Sequence, residues 1–145
     1  SMLVSAGRTY LIIPLRTFEA VRRAKFNYAC WSQTIAAICM AEEILLFTTQ
    51  SDIPVSNFHA RLVGPDIGIH DDLPIASAMP AFTGYLCAHP HVSRGRHSFV
   101  IDRGLKSVRK SVLSIEMDNN DNKENTIRVG GPAVMVGEGA ITVPP

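Results

Sequence analysis

Asp71-Asp72-Leu73-Pro74-Ile75-Ala76-Ser77-Ala78-Met79-Pro80-Ala81-Phe82-Thr83-Gly84-Tyr85-Leu86-Cys87-Ala88 is the stretch on which the fold turns. From Ile75 to Ala88 it is weakly polar and apolar nearly all round. A helix with no polar face belongs inside a protein. Pro80 lies close to its start, where a first helical turn tolerates proline. Such a helix needs cover on every side, and a sheet curved around it is the economical arrangement.

The flanks supply strands for that cover. Tyr10 to Leu15 is a short β-branched run that predicts a buried strand. Thr17 is placed to cap a helix beginning at Phe18, with Phe18 and Val21 on an apolar side and Arg22 and Lys25 on a basic one. Asn27 is placed to cap a second helix reaching about Glu43, with Cys30, Trp31, Thr34, Ile35 and Ile38 recurring at three and four. Ile44 to Thr49 predicts a second strand, and Asp52 to Pro54 a turn. Phe58 to Val63 alternates apolar and polar, the pattern of a strand with one wet face. After Pro90 period two returns, predicting strands over Ser98–Asp102, Val112–Met117, Thr126–Val129, Ala133–Val136 and Ala140–Val143. Glycine- and asparagine-rich breaks separate them. The class is α+β: a mixed or antiparallel sheet wrapped around a central buried helix, in one domain over residues 2–145. Ser1 reads as a tag remnant.

Composition narrows the function. The chain has 145 residues, about one domain's worth, with 46% hydrophobic and 19% charged residues. Its net charge of +1 gives no electrostatic reason to expect nucleic acid or an anionic membrane as partner. Runs such as Ile35 to Ala41 are far shorter than the roughly 20 residues of a membrane span. No signal-peptide pattern opens the chain. Three cysteines, Cys30, Cys39 and Cys87, are too few for a disulfide framework, and a cytoplasmic location is expected.

Three segments are more specific. They are Phe58-His-Ala-Arg-Leu-Val-Gly-Pro-Asp-Ile-Gly-Ile69 with Asp71 to Ala78 and Tyr85-Leu86; Arg103-Gly104-Leu105 with Arg109 and Ser111; and Ile127-Arg-Val-Gly-Gly-Pro-Ala-Val-Met-Val-Gly-Glu-Gly139. In this order they resemble the C-terminal half of the phenazine-biosynthesis (PhzF-like) isomerases, which have the diaminopimelate-epimerase fold. The resemblance implies a two-lobed protein with a cleft between the lobes. It also implies cofactor-independent isomerase or epimerase chemistry, in which a proton is abstracted and returned on a small carboxylate substrate.

Within that resemblance Asp72 falls on the family aspartate and Ser77, five residues later, on the family serine. Asp72 is the catalytic candidate. Ser77 and the amides of Ala76 and Ala78 are the substrate-binding candidates, since the start of a buried helix suits a carboxylate. The alternative is that Asp72 and Ser77 only cap the helix. The family Thr-Gly is Ile75-Ala76 here, and the family's glutamate and histidine belong to an N-terminal half that this sequence lacks. Weak or no activity is therefore expected of the chain alone. Its expected partner is that N-terminal half or a second copy in a homodimer. The competing class is a non-catalytic carboxylate-binding or homodimerisation module.

Other residues carry blander expectations. Asp71 beside Asp72 reads as a solvated neighbour. Cys87-Ala88-His89-Pro90-His91, with His97, has zinc-liking residue types but no common ligand spacing, so no metal is expected. No cysteine falls at the helix start, which disfavours a two-cysteine racemase. His59 and His70 read as surface histidines flanking the cleft. Arg8, Arg16, Arg22, Arg23 and Lys25 read as a solvated basic face, and Asp118 to Asn125 as a polar hairpin loop.

Overall fold

Neighbouring strands in the sheet are also neighbours in the chain: β1 (Met2–Ala6), β2 (Arg8–Pro14), β3 (Glu43–Thr48), β4 (Phe58–Val63), β5 (Gly95–Arg103), β6 (Ser111–Asn119) and β7 (Ile127–Gly130). The computed structural model describes residues 1–34, 37, 41, 43–68, 72–90, 92–104, 111–120 and 126–142. Two neighbouring pairs, β2–β3 and β4–β5, are parallel, and the other four are antiparallel. A parallel pair needs a long crossover connection. Each crossover here carries helices to a different face of the sheet.

The first crossover holds α1 (Phe18–Arg23) and α2 (Tyr28–Trp31). Thr17 Oγ1 accepts from Ala20 N–H and Asn27 Oδ1 from Cys30 N–H, so both expected caps are formed. Val21 and Trp31 pack with Ile44, Leu46 and Val63 on the outer face, with Leu11 and Ile13 against them. The second helix ends at Trp31, where Ser32 N–H closes onto Tyr28 O, and does not reach Glu43, which opens β3 instead; most of the apolar run from residue 35 to 42 lies outside the described residues.

The second crossover holds the deciding stretch. A 3-10 turn over Ala76–Ala78 leads into α3 (Met79–Cys87), with Pro80 in its first turn. Met79, Ala81, Phe82, Thr83 and Leu86 are buried. The alternate strand residues meet them: Tyr10 and Ile12, Leu45 and Phe47, Ala60 and Leu62, Phe99 and Ile101, Ile115 and Met117. Phe82 sits in an edge-on aromatic cluster, 4.9 Å from Phe47, 5.3 Å from Phe58 and 5.9 Å from Phe99 between ring centroids. Gly84 brings α3 close to β1, where a methyl group would stand 3.2 Å from Val4 Cγ1. The helix touches β1, β2 and β7, so the sheet curls until both of its ends flank it. The α+β class and the wrapped central helix are as expected.

Three further details differ from expectation. Met2–Ala6 forms the edge strand β1, in a segment whose pattern predicts none. The strand β4 is buried on both faces rather than wet on one, because α1 and its flanking turns lie over its polar residues His59 and Arg61. Residues 131–142 have no regular structure, so Ala133–Val136 is no strand and neither is the described part of Ala140–Val143.

Candidate active site at the helix entry

Asp72 lies four residues before the 3-10 turn, in extended chain with Leu73 and Pro74. Neither Asp72 nor Ser77 caps the helix. The turn begins at Ile75 and α3 at Ala78 without a side-chain hydrogen bond at either. The capping alternative therefore does not describe these residues.

Instead, Asp72 is clasped from the sheet. Arg103, at the end of β5, directs Nη1 to the Asp72 carbonyl oxygen at 2.7 Å and to its carboxylate Oδ2 at 3.2 Å. Arg103 is 16% and Asp72 20% exposed, so the pair sits at the rim of the fold rather than in its core. A single guanidinium bonded to both the backbone and the side chain fixes Asp72 in place. The Asp72 charge also acts on Arg61. Burial pushes the Arg61 guanidinium down from its usual value, and Asp72 partly offsets that. Ser111, from the same family-like segment, pairs with Arg103 across β5 and β6.

The residues past Asp72 divide. Ala76 and Ser77 are exposed beside the helix entry, while Ala78 is fully buried and its N–H donates to Ile75 O at 3.0 Å. Ala78 thus contributes position rather than a free donor. Ile75 is buried and fills the space at the turn. Asp71, His70, Arg109 and His91 lie outside the described residues.

Sequence reasoning missed a second polar cluster. His59 is buried on β4, not on the surface as expected. Its Nδ1 lies 2.7 Å from Asp102 Oδ2, and Ser51 Oγ donates to Asp102 Oδ1 at 2.5 Å. Phe18 of α1 covers the imidazole at 4.4 Å. The serine bonds the aspartate rather than the histidine, so this is not the order of a nucleophilic triad. It ties the β3–β4 connection to β5 beneath α1. The available signal was polar residues at outward positions of two strands, but only the register pairs His59 with Asp102. Arg61 has a similar role, donating from Nη1 to Arg22 O at 3.1 Å and Ala24 O at 2.9 Å at the end of α1.

Two further places offer less. Cys87 ends α3, partly buried, with burial pushing its thiol up, and His97 is engaged with Ser93 O at 2.7 Å. Among the described residues no three His, Cys, Asp or Glu side chains group as a metal site. On the outer face a cavity of about 370 Å³ is lined chiefly by Leu11, Ile13, Trp31 and Leu46. Its rim atoms Asn27 Oδ1 and Thr34 Oγ1 already serve as local hydrogen-bond partners. It offers no converging polar set of the kind ligand sites present.

The model of the family described as phenazine biosynthesis-like protein matches residues 1–139. The chain belongs to that family. It is 26% identical over 141 residues to an uncharacterized isomerase of Mesorhizobium japonicum, covering 96% of this chain and 47% of the relative. It is 24% identical over 132 residues to antisense-enhancing sequence 1 of Schizosaccharomyces pombe, covering 91% of this chain and 43% of that protein. This phenazine biosynthesis-like chain spans about half the length of the curated relatives it matches. The crystal structure of a Bacillus anthracis PhzF-family phenazine biosynthesis protein superimposes with a TM-score of 0.69 at 14% identity, over 86% of this chain and 42% of that one. That likeness establishes the shared fold.

Proposed function

We propose that this chain is one lobe of a cofactor-independent isomerase or epimerase that moves a proton on a small carboxylate substrate. Family membership and the isomerase relative support the class. The observation that carries the residue assignment is Asp72, held by Arg103 at the rim, four and five residues before the exposed Ala76 and Ser77. In this reading Asp72 handles or positions the proton. The Ser77 hydroxyl and the amides at Ala76 and Ser77 receive the substrate carboxylate. The complementary base comes from a second lobe, so the lobe alone turns over weakly or not at all. The work is cytoplasmic and uses the fold's own side chains.

Deuterium incorporation tests this. A panel of 2-amino and 2-hydroxy carboxylic acids is incubated with the protein in D₂O, and exchange at the α-carbon is read by mass spectrometry. Exchange that is lost in Asp72→Asn supports the assignment. Exchange that persists undiminished removes Asp72 from the chemistry.

Buried Ile75 at the turn favours a second reading, a non-catalytic carboxylate-binding or dimerising module, because a β-branched side chain narrows the approach to the turn. Amide shifts at Ala76 and Ser77 on titration with the same acids, without exchange, select that reading.

A further inference from the structure

Arg103 is the last residue of β5, and the strand end that carries it is held from two sides. On one side β6 pairs along it as far as Ser111, opposite Arg103. On the other, β4 runs parallel to it for three pairs: Phe58 with Ile101, His59 with Asp102 and Ala60 with Arg103. Successive residues of a strand face opposite ways, so Asp102 and Arg103 leave β5 on different faces. On its own face Asp102 is buried, with His59 Nδ1 2.7 Å from Oδ2 and Ser51 Oγ donating to Oδ1 at 2.5 Å. These bonds lock β4, β5 and the Ser51 turn together one residue before Arg103. A carboxylate acceptor and a buried setting both strengthen such bonds.

Asp72, by contrast, belongs to no helix or strand. Arg103 Nη1 reaches its carbonyl oxygen at 2.7 Å and its Oδ2 at 3.2 Å. One donor that grips both backbone and carboxylate selects a single side-chain rotamer. It also occupies Oδ2. The other oxygen, Oδ1, has no partner among the described residues, and the side chain is 20% exposed. Oδ1 is therefore the oxygen left to meet a substrate.

The geometry points to Arg103 and Asp102 as positioning residues for the proton transfer, an assignment that rests on the role given to Asp72 above. The buried Ser51–Asp102–His59 cluster fixes the end of β5 from the outer face. Arg103 carries that rigidity across the strand to Asp72, so that Oδ1 alone handles the proton. This gives a task to a cluster that touches no substrate itself. Displacing a reacting group by about an ångström costs orders of magnitude in rate. Substrate affinity, supplied by other groups, is left in place.

NMR of the isotope-labelled chain tests this through three-bond couplings to Asp72 Cγ, which read its χ1. A single rotamer is expected in the wild type and an average over rotamers in Arg103→Ala. Arg103→Lys should lie between, since an ammonium lacks the planar fork. Asp102→Asn should shift the couplings toward the average, and Ser51→Ala serves in its place if that variant unfolds. In the D₂O assay, Arg103→Ala should slow exchange at saturating acid by about tenfold or more, with the half-saturating concentration within about twofold. Adding Asp102→Asn to Arg103→Ala should slow exchange no further, because Asp102 acts only through Arg103. Averaged couplings in the wild type, or a single rotamer kept in Arg103→Ala, would overturn the proposal, as would an additive loss in the double variant. Exchange lost in Asp72→Asn but kept in Arg103→Ala sinks the positioning role alone. Exchange indifferent to Asp72→Asn removes the role of Asp72 itself.

Discussion

His59 Nδ1 and Asp102 Oδ2 stand 2.7 Å apart where β4 and β5 run parallel, both side chains buried and the imidazole covered by Phe18. The pair lies on the outer face, so it fastens α1 and the Ser51 turn to the sheet rather than lining the helix entry.

Asp102 should give the fold an acid-sensitive component. Burial by itself would raise its carboxyl, but the hydrogen bonds from His59 and Ser51 outweigh burial and hold it below the ordinary range. A carboxyl with a depressed folded value stabilises the fold above its unfolded value, about 3.9, and loses that contribution as pH falls through the folded value. Urea midpoints of the wild type are expected to fall steeply below about pH 4. Asp102→Asn should lower stability near neutrality by roughly 3 kcal/mol and flatten the acid slope. An unchanged slope would remove Asp102 as its source.

Arg61 holds the last carbonyls of α1 with a charged donor inside the fold. Arg61→Ala is expected to cost roughly 2–3 kcal/mol in urea unfolding. Arg61→Lys should recover only part of that, because an ammonium lacks the planar fork that reaches several carbonyls.

Phe82 anchors the aromatic cluster against three strands. Phe82→Ala is expected to destabilise by roughly 3–5 kcal/mol, through lost burial and the cavity left behind. Differential scanning calorimetry would read this as a large drop in Tm with no change in quaternary state.

Asp72→Asn is expected to separate function from stability. The ion pair with Arg103 is partly exposed, and the Arg103 bond to the Asp72 carbonyl survives the substitution. Stability should move by less than about 1 kcal/mol in urea unfolding. A large loss of stability would recast Asp72 as a structural residue.

The thiols should differ in reactivity. Cys30 is exposed, whereas Cys87 is partly buried and its thiol is pushed up by burial. Labelling with a thiol-reactive disulfide reagent is expected to show a fast phase that Cys30→Ser removes and Cys87→Ser does not.

The local pattern of the chain determined most of its elements. Short apolar runs placed β2 and β3, period two placed β4 to β7, side-chain oxygens at Thr17 and Asn27 set two helix starts, and an all-apolar stretch announced α3 as the buried centre. These outcomes depend on neighbours a few residues apart, which is why they can be read from one sequence.

Tertiary structure decided the rest. The edge strand β1 exists because Met2–Ala6 meets β2, and the wet face expected of β4 is dry because α1 crosses it. The strand-like run at 133–136 stays unpaired because no described edge of its own subunit receives it. Asp72 is legible in the chain, but its partner Arg103 is 31 residues away and emerges only from the register of the sheet. His59 and Asp102 are 43 residues apart, and their outward positions look like surface until the crossover closes over them. Periodicity states which way a side chain points along its own strand. What it meets there depends on which distant segment pays the entropy of folding over it.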